Sequence, residues 1–197
     1  MGGTGTEGWR TEEFGTSHEG YVGAVLEDGS EAKPVYLDMS SGSAGFSTSE
    51  WWAYNGQMGR PRAAGYRSAC ACGWRGDTYP IDWEQVSDDR LDDLDISRPY
   101  HDWQNHIDSV QSQAIPVPAD VTAVMDQLQA HLAPLAEQAP LAALRAVTQL
   151  ERMACAVGRE AAYAVEDEAV PAETIGTALG LSPAKSHSRV TSNLLRD

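Results

Sequence analysis

Lysine is almost missing from this chain of 197 residues. Two of its 14 basic side chains are lysines, and 29 acids bring the formal net charge to −15. So few cations exclude broad, non-specific adhesion to phosphate backbones or anionic membranes. Long apolar runs are missing too, and none approaches the eighteen or so residues of a membrane span. The opening "MGGTGTEGWRTEEFG" has neither the basic segment nor the apolar core of a secretory signal. Three cysteines, one of them far from the others, do not make a secreted disulfide framework. A cytoplasmic protein is expected. There is no P-loop, dinucleotide glycine fingerprint, nucleophile elbow or His-Glu-x-x-His motif. No catalytic residue and no organic cofactor site is singled out, so an enzyme is not expected.

The charge that is present is unevenly placed. Residues 1 to 110 hold 19 acids and 8 bases, whereas residues 169 to 197 hold 2 and 3. Nucleic-acid contact, if made, belongs at the C-terminus. The acidic N-terminal part suits a basic protein surface instead. Seven carboxylates fall between Asp82 and Asp95, without the alternation and central glycine of a calcium loop, and read as a solvated connector.

The pattern along the chain predicts an α+β protein in two parts. Residues 1–15, rich in Gly, Thr and Glu, read as a flexible lead-in. Residues 16–113 read as a small antiparallel β/α module, with "YVGAVLED" (21–28) and "KPVYLDM" (33–39) as a hairpin. "AGYRSACACGWRGDTYPI" reads as two strands joined around the cysteines, and a helix is expected after Pro99. Pro116 and Pro118 mark a semi-rigid linker over 114–120. Beyond it, residues 121–197 are Ala- and Leu-rich. Val121, Val124, Met125, Leu128 and Leu132, then Leu141, Leu144, Val147, Leu150, Met153 and Val157, recur at helical spacing. Gly158 is a weak point in the second helix, whose apolar surface suits a homodimer.

Cys70 and Cys72 are the most specific chemical signal. Side chains at i and i+2 of a strand share a face, and a structural zinc takes four ligands from Cys and His, commonly in pairs. Of five histidines in the chain, His101 and His106 flank Trp103 downstream. His18 is the other N-terminal one. The alternative is two buried thiols without metal, since cysteine is often buried as a small hydrophobe. The run "CACGWRG" with "WQNH" some thirty residues on, within residues 65–107, resembles small actinobacterial zinc-ribbon-like proteins. That resemblance implies Cys70, Cys72 and His106 as ligands, with His101 as the fourth. It also implies Trp74 and Trp103 packed over the site and Arg75 paired with carboxylates. A high-GC bacterial source agrees with the scarcity of lysine and the abundance of alanine.

The stretch 171–195 carries a second signal. Pro171, Glu173 and the pair Ile175 and Leu179 predict one helix, Gly180 its left-handed end, and Ser182-Pro183 the start of another. The segment resembles a DNA-binding helix-turn-helix, most closely region 4 of sigma factors. One departure is Ser186, which stands where that pattern buries Val or Ile. The resemblance places Lys185, Ser188, Arg189 and Ser192 on the DNA-facing side, with Val190 and Leu194 inward. A plain helical hairpin is the alternative, because the same geometry occurs in proteins that never touch DNA. Two readings follow: a zinc-stabilised regulatory or accessory protein contacting DNA or the transcription machinery, and an acidic adaptor or inhibitor whose helices only dimerise.

Overall fold

The computed structural model describes residues 8–39, 43–86 and 94–195. It is an α+β protein: among the described residues, small antiparallel sheets are followed by five α-helices. The chain divides into two compact units, residues 1–112 and 113–197. Most of the acidic connector, residues 87–93, and the first seven residues lie outside the described residues.

In the first unit, β1 (Gly20–Val25), β4 (Gly65–Cys70) and β5 (Tyr79–Pro80) form one antiparallel sheet with β4 central. The strands β2 (Val35–Met39) and β3 (Ser43–Thr48) form a separate two-stranded sheet. The hairpin expected between 21–28 and 33–39 therefore stops at its turn. Leu26 donates to the Ser30 carbonyl and accepts from Gly29, and Val25 bridges Glu31. Pro34, which has no N–H to continue a ladder, then precedes a strand that pairs onward with β3. β1 instead takes β4, in a register that sets Gly20 opposite Cys70 and Val22 opposite Ser68. Trp9, within the lead-in, and Gly20 exchange backbone hydrogen bonds of 2.8 and 2.9 Å. The Trp9 ring also packs on Tyr100 and Trp103.

Among the described residues, two buried clusters hold this unit. Val22, Ala24, Trp51, Ala53, Tyr54, Ala63 and Tyr66 make the larger one. Cys70, Trp103 and Ile107 make the other, flanked by Trp9, Phe14, Cys72 and Trp74. Helix α1 (Ser97–Gln113) supplies Pro99, Trp103 and Ile107, four residues apart and all buried, which is the spacing of one helical face. Gly20 makes this docking feasible, because a Cβ there would sit 2.5 Å from the Trp103 indole nitrogen.

The second unit is helical: α2 (Ala119–Gln138), α3 (Pro140–Asp167), α4 (Ala172–Leu179) and α5 (Pro183–Leu195). α2 packs on α3, and α5 packs on both α3 and α4. Pro134 sits inside α2 rather than ending it. Gly158, expected as a weak point, is where α3 meets α5. A Cβ there would lie 3.3 Å from the Asn193 side chain, so the missing side chain serves close approach.

Candidate metal centre and helix-turn-helix

Four soft ligand atoms converge at one end of the β1–β4 ladder. The side chains of His18, Cys70, Cys72 and His106 each offer an atom, and these all lie within 4.8 Å of one another. His18 Nδ1 stands 3.3 Å from His106 Nε2 and 3.5 Å from Cys70 Sγ, and Cys72 Sγ stands 3.3 Å from His106 Nε2. None of the three cysteines is in a disulfide. The cluster is close enough to bind a metal ion.

Each ligand has a local reason for its place. Cys70 ends β4 and is buried. The next residues fold into a tight turn in which Gly73 donates to the Cys70 carbonyl and Cys70 donates to the Trp74 carbonyl. Gly73 has φ of 103°, a conformation that L side chains rarely adopt. The turn brings Cys72 Sγ within 3.4 Å of the Trp74 amide. Arg75 holds the outer side, donating to the carbonyls of Cys70 and Trp74 while pairing with Glu31, which Arg67 also meets at 2.5 Å. Chiefly through the Arg75 hydrogen bond, the Glu31 carboxyl is held below its usual range.

His18 ends a short 3-10 helix, Gly15–His18, just before β1. The register that pairs Gly20 with Cys70 carries it to the cysteines. Its carbonyl accepts from Trp103 Nε1 at 3.1 Å. His106 lies on α1, stacked on Trp74 with centroids 4.4 Å apart and planes 3° from parallel. Trp103 is buried in the same cluster as Cys70, with Trp74 packed against that cluster. The Cys72 thiol is drawn far below its ordinary value of 9.0, to about 2. The largest cause is the hydrogen bond from Cys70; those from His106, His18 and the Trp74 amide add to it, against burial. Thiolate is the form that ligates metals.

His101 is not among the converging ligands, and His18 is. The reason is helical phase. His106 follows Trp103 by three residues and stays near its buried face, whereas His101, two residues before it, faces away and is exposed. The signal for His18 was its scarcity alone, as one of five histidines. Its partnership needs the β1–β4 pairing, which no local pattern announces.

In the second unit, α4 ends at Gly180 with φ of 61° and ψ of 39°. Leu181 donates to the Gly176 carbonyl at 2.7 Å and Gly180 to that of Thr177 at 3.2 Å. This is the left-handed helix end that closes such a turn. Ser182 Oγ accepts from the Lys185 amide at 3.4 Å, as a helix cap does. Ser186 is wholly buried, and its hydroxyl donates to the Ala172 carbonyl at 2.9 Å. The polar residue at a core position therefore ties α5 to the first turn of α4. Val190 and Leu194 are half-buried. Ser188 and Arg189 lie three and four residues after Lys185 and four and three before Ser192, on one side of α5, with Ser188 and Arg189 exposed and the other two half-buried.

No protein-family model, no curated protein and no solved structure matches the chain. Among the described residues, no helix is long and apolar enough to cross a membrane.

Proposed function

We propose that the chain is a non-catalytic regulatory or accessory protein: a zinc-stabilised module joined to a helix-turn-helix that contacts DNA. Zinc is favoured by ligand chemistry and by spacing. Bonds of about 2.0 Å to nitrogen and 2.3 Å to sulfur give tetrahedral edges of roughly 3.3 Å between nitrogens and 3.5 Å between nitrogen and sulfur. Three of the six separations, 3.3, 3.5 and 3.3 Å, lie close to those edges, in a cluster whose atoms are all within 4.8 Å of one another. Four protein ligands leave no open position, which suits a structural ion and not a hydrolytic one.

The observation that carries the DNA reading is the left-handed turn at Gly180 between α4 and α5, with Ser188 and Arg189 exposed on the second helix. It supports the resemblance to sigma factor region 4. Replacing Lys185 and Arg189 together by alanine should weaken retention on DNA at low salt while leaving the melting temperature unchanged. DNA retention indifferent to that pair of changes would contradict the reading. The net charge of −15 favours a second one, an adaptor that binds a basic protein surface. Under it, the chain is retained by protein and not by DNA.

A further inference from the structure

Where α3, α4 and α5 meet, they leave a cavity of about 340 Å³. Val165, Val170, Ile175 and Val190, all half-buried, give it apolar walls, and the exposed Glu166 and His187 supply its ionisable groups. The turn after α3 shapes one side. Val170 donates to the Val165 carbonyl and Ala169 to that of Glu166. Ala169 has φ of 50°, in a left-handed helix end that usually takes glycine. From α5 come His187 and Val190, three residues apart and so on one face. Lys185 and Arg189 each stand two residues from His187, on the other side of that helix.

The charge around the cavity is of one sign. α3 ends beside it, and a helix C-terminus carries partial negative charge that favours a cation. That end instead carries Glu166, Asp167 and Glu168, with no basic residue in its last turn. Glu173 adds another acid in the first turn of α4. Among the described residues, no lysine or arginine lines the cavity and Glu166 forms no ion pair.

We infer that this cavity binds a small organic ammonium ion. Its apolar body packs among the four aliphatic side chains, and the Glu166 carboxylate and the end of α3 hold its charge. The neutral His187 imidazole offers a further acceptor nitrogen. The volume lies within the roughly 300–1,000 Å³ of small-molecule sites, in which a few polar groups fix orientation on apolar walls. An anion would meet carboxylates on α3 and α4 and the wrong end of the helix dipole. A wholly apolar ligand would take water from Glu166 without replacing it. The site depends on neither metal nor DNA contact. Its ligand touches three helices at once, so binding stabilises the helical unit by mass action.

Phenethylammonium is the probe, with phenethyl alcohol and hydrocinnamate as its neutral and anionic counterparts. At millimolar concentration in the full-length protein it should shift the methyl resonances of Val165, Val170, Ile175 and Val190 saturably. It should also raise the helical melting transition. The alcohol should bind roughly ten-fold more weakly, and the carboxylate should not bind. Glu166→Gln should weaken the ammonium ion by about the same ten-fold and leave the alcohol unaffected. Ala172→Leu, at a position lining the cavity, should weaken both. Should that variant lose its helical signal, the Glu166→Gln comparison still decides the question. Absence of a saturable shift at the four residues overturns the inference. So does an alcohol or carboxylate that binds as tightly as the ammonium ion, or a Glu166→Gln protein that binds that ion unchanged.

Discussion

Glu31 sits between Arg67 and Arg75, and through Arg75 it braces the turn that carries both cysteines. Its carboxyl titrates below the ordinary range because the charged form is favoured by those guanidinium groups, Arg75 first. A folded-state value below the unfolded one gives stability that is present above the ordinary carboxylate range and lost as pH falls through the lowered value. Glu31→Gln should therefore melt below the wild type at neutral pH, and the gap should close on acidification. A gap of constant size from neutral pH to below the carboxylate range would show that the ion pairs carry no such linkage. The same scale explains why His18 outcompetes His101 for the cluster. The deciding factor is where the backbone places each imidazole, and not its distance in sequence from the cysteines.

Among the elements, the helices are those legible in the sequence, because an apolar stripe at three- and four-residue steps is a local signal. α3 spans Pro140–Asp167, and α4 and α5 meet at Gly180 as the glycine and Ser182-Pro183 foretell. Among the strands, β4 and β5 were legible as partners joined around the cysteines, whereas the partner of β1 was not. β1 and β4 are some forty residues apart, and nothing local distinguishes that pairing from a hairpin with β2. Three of the cluster's four residues, Cys70, Cys72 and His106, could be named before the fold was known; His18 depends on the long-range pairing. Ser186 belongs to this scale as well. It reads as a defect in a helix-turn-helix pattern, yet its hydroxyl binds α5 to the Ala172 carbonyl of α4. Ser186→Ala should lower the stability of the helical unit by about 1 kcal/mol, the usual net worth of such a bond. Thermal unfolding followed at helical wavelengths measures it. An unchanged or raised transition would mean the hydroxyl is incidental.

For the whole molecule, the first unit has to fold around a small divided core, in which one cluster consists largely of the residues surrounding the cysteines. A metal ion joining the start of β1, the end of β4 and α1 would cross-link three elements far apart in sequence, so binding would stabilise the fold directly. The measurement that bears on this most directly is native mass spectrometry of the full-length protein, purified without chelator. It is made on the wild type and on His18→Ala and His101→Ala. The account predicts one zinc per chain in the wild type and in His101→Ala, and loss of zinc in His18→Ala. A metal-free wild type, or zinc lost from His101→Ala but kept by His18→Ala, would contradict it.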